Sequence, residues 1–276
     1  MKKKVAFIIT VYKNDKLEYF KEAINSIISQ DYGFENINIY LGIDGKIPND
    51  IENYIKENKK LFYKIIKNKK NEGLAYTLNK LIDNLENEEY IFRMDSDDIC
   101  KLDRVSKQVN FLEINKNIEI LGGAIEEFDS KGNILITRKY PRNNKEAINY
   151  IYKASIFAHM AVCFRKSFFA KGFRYNENYR YNQDLALWFE VLANNIKISN
   201  LDDVLVKVRV SNDFYRRRNY KRAFTEFKIY WNGIIELYNG YNYRLIWPIL
   251  RLTIRLFPAS IVKIIYTSNL RKVLNR

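Results

Sequence analysis

Five consecutive apolar residues, Val5-Ala6-Phe7-Ile8-Ile9, open the chain, and Leu17, Phe20, Ile24, Ile27 and Ile28 follow at helical spacing. A short unbroken apolar run with β-branched members suits a strand buried on both faces, and such strands belong to parallel sheets covered by helices. The alternation recurs. Residues 36–42 and 61–66 read as second and third strands, Leu74, Leu78, Leu81, Ile82 and Leu85 as another amphipathic helix, and residues 90–94 as a fourth strand. The pattern predicts an α/β fold: an open, mostly parallel sheet flanked by helices and built with right-handed crossovers. In such sheets ligands bind outside the carboxyl ends of the strands.

The later chain has a different texture. Residues 118–128 and 134–140 flank the turn Ser130-Lys131-Gly132-Asn133 and predict a hairpin. Helices are expected over 101–115, 145–155 and 184–193, with a strand over 160–164. Trp188, Phe189 and Trp231 sit at helical spacing among aliphatic residues and read as core. No repeat, low-complexity tract or Gly/Ser linker divides residues 1–212, so one domain is expected there.

Charge separates the remainder. The chain carries a net charge of +15, and residues 213–276 hold 13 basic against 3 acidic residues, ten of those fifteen charges. From Tyr241 onward there are seven Lys/Arg and no acid. Such a block serves a solvated face, a nucleic-acid patch or an anionic membrane surface. No nucleic-acid recognition motif accompanies it, so nucleic acid is not expected as a partner. At roughly 100° per residue Arg244, Arg251 and Arg255 share a stripe. Ile246, Ile249, Leu250 and Phe257 lie away from it, with Tyr243 and Trp247 as interfacial aromatics and Lys263, Arg271 and Lys272 farther on. This suits a helix lying on an anionic membrane, or else an ordinary helix with its Arg stripe in water. Pro248 and Pro258 are expected to break it.

Two cysteines, Cys100 and Cys163, match no metal or redox spacing and read as reduced thiols of a cytosolic protein. The Lys2-Lys3-Lys4 start leads into too short an apolar run for a signal peptide, and no stretch approaches the ~20 apolar residues of a spanning helix. The sequence therefore predicts a chain that is neither exported nor membrane-spanning.

Chemistry-bearing residues gather at or just past the four strand ends: Thr10 and Tyr12, Asp44, Asn71 and Gly73, and Asp95 with Asp97. Neither G-x-G-x-x-G nor G-x-x-x-x-G-K-[ST] occurs, so a Gly-rich phosphate cradle is not expected. Asp95-Ser96-Asp97-Asp98 instead places three carboxylates in four residues. Hard oxygen ligands suit Mg²⁺ or Mn²⁺, which take further ligands from phosphates. The plainer reading is an acidic patch at the N-terminus of the following helix.

Five segments in this order resemble the inverting glycosyltransferase family 2: Ile8-Ile9-Thr10-Val11-Tyr12, Ile43-Asp44-Gly45, Asn71-Glu72-Gly73-Leu74-Ala75 with Asn79, Arg93-Met94-Asp95-Ser96-Asp97-Asp98, and Asn182-Gln183-Asp184-Leu185-Ala186-Leu187-Trp188. The resemblance spans residues 3–212. His159 to Lys166, Val208-Arg209-Val210-Ser211 and Phe214-Tyr215-Arg216-Arg217-Arg218 are similar to the bacterial surface-polysaccharide branch of that family. It implies a GT-A fold over residues 1–212, with a nucleotide-binding half (1–100), an acceptor half (101–212), and a basic helical membrane-associating appendage (213–276).

It further implies a nucleotide-sugar donor, UDP-linked, with Thr10 and Tyr12 around base and ribose and Asp44 accepting a hydrogen bond from the base. Asp95, beside Ser96, would face the ribose and Asp97 a Mn²⁺ or Mg²⁺ ion. Gly73 would permit a tight turn, and Asn71 would contact donor phosphate or cap the helix. Asp184 matches the family's base; Gln183 stands where many relatives have Glu, and an N-cap role is the plainer reading of Asp184. His159 either touches donor or acceptor or is a structural hydrogen-bonder. Arg209 stands where many relatives have a metal-binding histidine. Either the metal has one protein ligand fewer, or Arg209 and the run with Arg217 and Arg218 supply charge to the diphosphate; a solvated basic loop is the alternative.

The implied activity is metal-dependent extension of a polyprenyl-diphosphate-linked glycan at the inner face of the cell membrane. The competing readings are a nucleotidyltransferase acting on sugar phosphates and a non-catalytic membrane-associated binding protein.

Overall fold

The opening apolar run forms strand β1 (Val5–Val11) in a computed structural model that describes residues 2–210 and 220–256. It leads through α1 (Leu17–Ile28) to β2 (Ile37–Ile43), then α2 (Asn49–Glu57) and β3 (Lys64–Lys67), then α3 (Leu74–Ile82) and β4 (Tyr90–Met94). These four strands lie in the order β3-β2-β1-β4, all parallel, with Val5 opposite both Ile37 and Tyr90. The unbroken apolar pattern is explained by cover on both faces. Phe7, Ile9 and Val11 pack with Phe20, Ile24 and Ile27 of α1, while on the other face Gly42 leaves room for Thr77 and Leu81 of α3. The third strand starts later than predicted because Lys59–Leu61 forms a 3-10 turn.

Past β4 the sheet becomes mixed. The chain continues through β5 (Ile99–Cys100), α4 (Arg104–Ile114), β6 (Ile120–Phe128), β7 (Ile134–Arg138), α5 (Asn144–Tyr150), β8 (Cys163–Arg165), α6 (Lys166–Ala170), α7 (Gln183–Ala193) and β9 (Ile198–Arg209). The order extends as β4-β8-β6-β9-β5. The hairpin prediction corresponds to the antiparallel β6–β7 pair, and β6–β9 is again parallel, whereas β8 runs antiparallel to β4 and β6. The expected strand over 160–164 is displaced, because His159–Ala161 forms a 3-10 turn ahead of β8. Long β9 pairs with short β5, Ile99 opposite Lys207, so its far end meets the loop after β4. Trp188 and Phe189 are core, as read from the sequence.

The described residues fall into two compact units, within Met1–Ser211 and within Asn212–Arg276. The second unit contains α8 (Tyr220–Leu237) and α9 (Ile246–Leu256). Two expectations change here. Pro248 does not break α9: it stands in the first turn, where a missing N–H removes no intrahelical bond. Nor is the Arg stripe left to solvent alone, although Arg255 stays exposed. Arg251 and Arg255 turn onto α8 and pair with the buried Glu226 at 3.3 and 2.6 Å, and Arg244 stacks on Tyr238 and Tyr243. Beside Thr253 and Arg255, the exposed residues of α9 are the apolar Ile246, Ile249, Leu250 and Leu256. Trp231 is half-buried between Phe227 and Tyr241. Phe257, Pro258, Lys263, Arg271, Lys272 and the Arg216 to Arg218 run lie outside the described residues, and no helix among those described is long and apolar enough to cross a membrane.

Candidate active site

The ends of β1 and β2 bring Thr10, Tyr12 and Asp44 to one side of the sheet. Thr10 is half-buried and Tyr12 exposed, with the Tyr12 N–H donating to Asp15 Oδ2 at 2.9 Å. Asp44 is buried and anchors the loop that precedes α3. Its Oδ1 accepts from Asn68 Nδ2 (3.1 Å) and Glu72 N (2.8 Å), and its Oδ2 from Asn71 Nδ2 (2.7 Å) and Gly73 N (3.0 Å). Four donors fill a carboxylate's usual capacity, so a nucleotide base can be accepted only by exchanging one of these bonds. The packing demands glycine at two points. Gly45, at φ +83°, would drive a Cβ to 2.6 Å from Asn71 N, and Gly73, at φ +108°, is the turn into α3 that the sequence suggested. Because Gly73 is the cap position, Asn71 is not a helix cap; it bridges Asp44 and Arg180, whose guanidinium donates to Asn71 Oδ1 and, at 3.4 Å, to its carbonyl.

Strand β4 delivers the acidic loop. Asp95, Asp97 and Asp98 each present a carboxylate oxygen, all within 4.8 Å of one another. Desolvation and then the charge of Asp95 push Asp97 up to about 6, and the same two causes push the buried Asp98 well above the usual carboxylate range. Asp15, bonded to Ser96, is pushed up to about 7, chiefly by desolvation. Hard oxygens that repel one another fit a divalent cation, whose charge removes the repulsion. Asp98 is not wholly free for one, because its Oδ1 accepts from Arg209 N at 2.9 Å. The Arg209 guanidinium pairs with Glu22, donates to the Asp97 carbonyl at 3.1 Å and stacks on Tyr19 and Phe128. It braces the acidic loop from behind.

Asp184 is half-buried in the first turn of α7, and the N-cap is Asn182 at φ +57°, so the N-cap reading of Asp184 does not hold. Desolvation raises its pKa; the N–H groups of Leu185 and of Asp184 itself, and the charge of Arg93, act the other way. Arg93 itself is 2% exposed and paired with Asp95, while its Nε and Nη1 have no protein hydrogen-bond partner. Burying donors this way costs about 1–3 kcal/mol each.

His159 is buried and hydrogen-bonded within the protein. Its Nε2 lies 2.8 Å from the Tyr175 hydroxyl, its ring packs edge-on against Tyr175 and Trp188, and burial holds its pKa well below the usual imidazole value. Asn79 explains its own place in the motif. Its amide accepts from Tyr175 N (2.9 Å) and donates to Tyr175 O (2.8 Å), fixing that tyrosine's backbone.

The sequence profile described as Glycosyl transferase family 2 matches residues 6–173. The chain belongs to glycosyltransferase family 2. A glycosyltransferase of Haemophilus influenzae, itself uncharacterized, is 32% identical, covering 98% of this chain and 100% of its own. The UDP-Gal:alpha-D-GlcNAc-diphosphoundecaprenol beta-1,3-galactosyltransferase of Escherichia coli is 30% identical over 98% of each chain. Among solved structures, S. aureus TarS 1–349 in complex with UDP-GlcNAc superposes with a TM-score of 0.68 at 13% identity, covering 98% of this chain and 78% of that one. The fold is GT-A, and the protein is a glycosyltransferase.

In this glycosyltransferase, Thr10, Tyr12, Asp44, Asn71, Gly73, Asp95, Ser96 and Asp97 stand at or just past the ends of four adjoining parallel strands. Arg217 and Arg218 lie outside the described residues. Sequence reasoning gave no role to Asp15, Arg93, Tyr175 or Arg180. A signal existed for Arg93 alone: a lone cation in the otherwise apolar strand Tyr-Ile-Phe-Arg-Met. The other three reach the site from loops, which carry no periodicity.

Proposed function

We propose that this glycosyltransferase moves a sugar from a UDP-linked donor, with inversion, onto a glycan carried by a polyprenyl diphosphate, as a step in building a bacterial surface polysaccharide. The observation that carries the reading is Asp184: a carboxylate of raised pKa at a helix start, within the electrostatic reach of Arg93 and Asp95. Inversion requires one displacement and one base. Asp184 takes the proton of the acceptor hydroxyl as its oxygen bonds to the anomeric carbon, and the bond from that carbon to the UDP oxygen breaks. Burial strengthens the base, while Arg93 and the helix N–H groups keep it ionised.

On the donor side, Thr10 and Tyr12 flank base and ribose, Asp44 holds the loop carrying Asn71 and Gly73, and Asp95 with Ser96 meets the ribose. Asp97 would hold Mn²⁺ or Mg²⁺, whose charge would stabilise the diphosphate leaving group. Arg209 fixes the loop that bears Asp97.

The lipid-linked acceptor is supported by the Escherichia coli relative, whose name specifies a diphosphoundecaprenol-linked substrate. Residues 241–276 dock the enzyme on the cytoplasmic face of an anionic membrane, with the exposed apolar side of α9 inserting and the surrounding basic charge attracting lipid head groups. The deciding experiment incubates the full chain with UDP-sugars, Mn²⁺ and a polyprenyl-diphosphate-linked sugar. Release of UDP with a new glycosidic bond of inverted configuration is expected; pyrophosphate release would assign a nucleotidyltransferase instead.

A further inference from the structure

Arg93 occupies the one cationic position of β4. Strand alternation puts Phe92 and Met94 into the core with Phe7 and Ile9, and Arg93 and Asp95 together on the opposite face. The main chain around Arg93 is fixed on both sides: its N–H donates to Val162 O at 3.0 Å, and its carbonyl accepts from Arg104 Nη2 at 3.0 Å. Its guanidinium pairs with Asp95 through Nη2, and Nε and Nη1 are left without a protein partner. The neighbours that feel its charge are Asp95, Asp97, Asp98 and Asp184 together with the buried His159 and Tyr175. The histidine and the tyrosine are both held neutral by burial, so the anions answering Arg93 are the donor-side acids and Asp184.

We infer that Arg93 is a positioning residue for sugar transfer: its buried guanidinium fixes the Asp95 carboxylate for the donor. This rests on the reading of Asp95 as a donor contact. The planar fork sets the direction of the Asp95 pair, which a lysine cannot reproduce, and a glutamine supplies no charge to hold the carboxylate.

The test compares Arg93→Lys and Arg93→Gln in the full chain, with thermal unfolding as the folding control. For Arg93→Lys the donor KM is expected to rise by about fivefold, and for Arg93→Gln by at least as much, while kcat and the acceptor KM stay within about twofold of the parent. A folded Arg93→Lys enzyme whose donor KM stays within about twofold of the parent overturns the hold on Asp95, as does a loss confined to kcat. If Arg93→Gln does not fold, Arg93→Lys alone decides. Asp184→Asn is run in parallel: transfer surviving that change would remove Asp184 as base, while the donor KM of Arg93→Lys would still judge the hold on Asp95.

Discussion

Glu226 of α8 and Arg255 of α9 form an ion pair of 2.6 Å, and Arg251 approaches the same carboxylate at 3.3 Å. Two arginines that a helical projection sends outward thereby find a partner within their own unit, Arg255 while still exposed, and most of what α9 turns outward is apolar: Ile246, Ile249, Leu250 and Leu256. Membrane attachment through this helix should then depend on apolar insertion first. Replacing Ile249 and Leu250 together by Glu is expected to weaken binding to anionic vesicles by more than about tenfold in a flotation assay, since each side chain contributes roughly 1 kcal/mol or more when buried. Vesicle binding that is unchanged would remove this face as the contact.

Asp184 should be indispensable to turnover and nearly irrelevant to donor binding. Asp184→Asn keeps the shape and loses the base, so kcat is expected to fall by about 10³-fold with the donor KM little changed. The parent's activity should decline with acidification at a pH above the ordinary carboxylate range, because desolvation raises the Asp184 pKa and only the ionised form accepts the proton. Steady-state kinetics across pH reads both.

Cation binding at the acidic loop should weaken in acid. Asp97 is pushed up to about 6, so protons compete with a metal below that pH and not above it. Titration calorimetry should give Mn²⁺ affinity about tenfold weaker at about pH 5 than at about pH 7.5. Chelation should abolish transfer, and added Mn²⁺ should restore it.

Asp44→Ala strips the common acceptor from Asn68, Asn71, Glu72 and Gly73. With those donors left to water or unpaired, folding should lose about 3 kcal/mol and the Tm should fall by roughly 8 °C. A surface-type loss of a degree or less in a melting scan would show that the loop before α3 holds its shape without Asp44.

The sequence was most informative where burial imposes a period. The run at Val5, the helical spacing from Leu17 and the strand at Tyr90 require a sheet covered on both faces, and the same logic assigned the carboxyl ends of those strands as the site. Motif order added the family, and with it Asp95, Asp97 and Asp184. Partner choice was decided elsewhere. Asp44 is bound by a loop more than twenty residues away in sequence, His159 by Tyr175, and Arg209 by Glu22 from the other end of the domain. A helical projection places the Arg251 and Arg255 stripe but cannot say whether water, lipid or Glu226 lies against it. Periodicity records only how much of a side chain is removed from water; which atom answers a buried charge depends on chain segments brought together by folding, and that was decided by the tertiary structure alone.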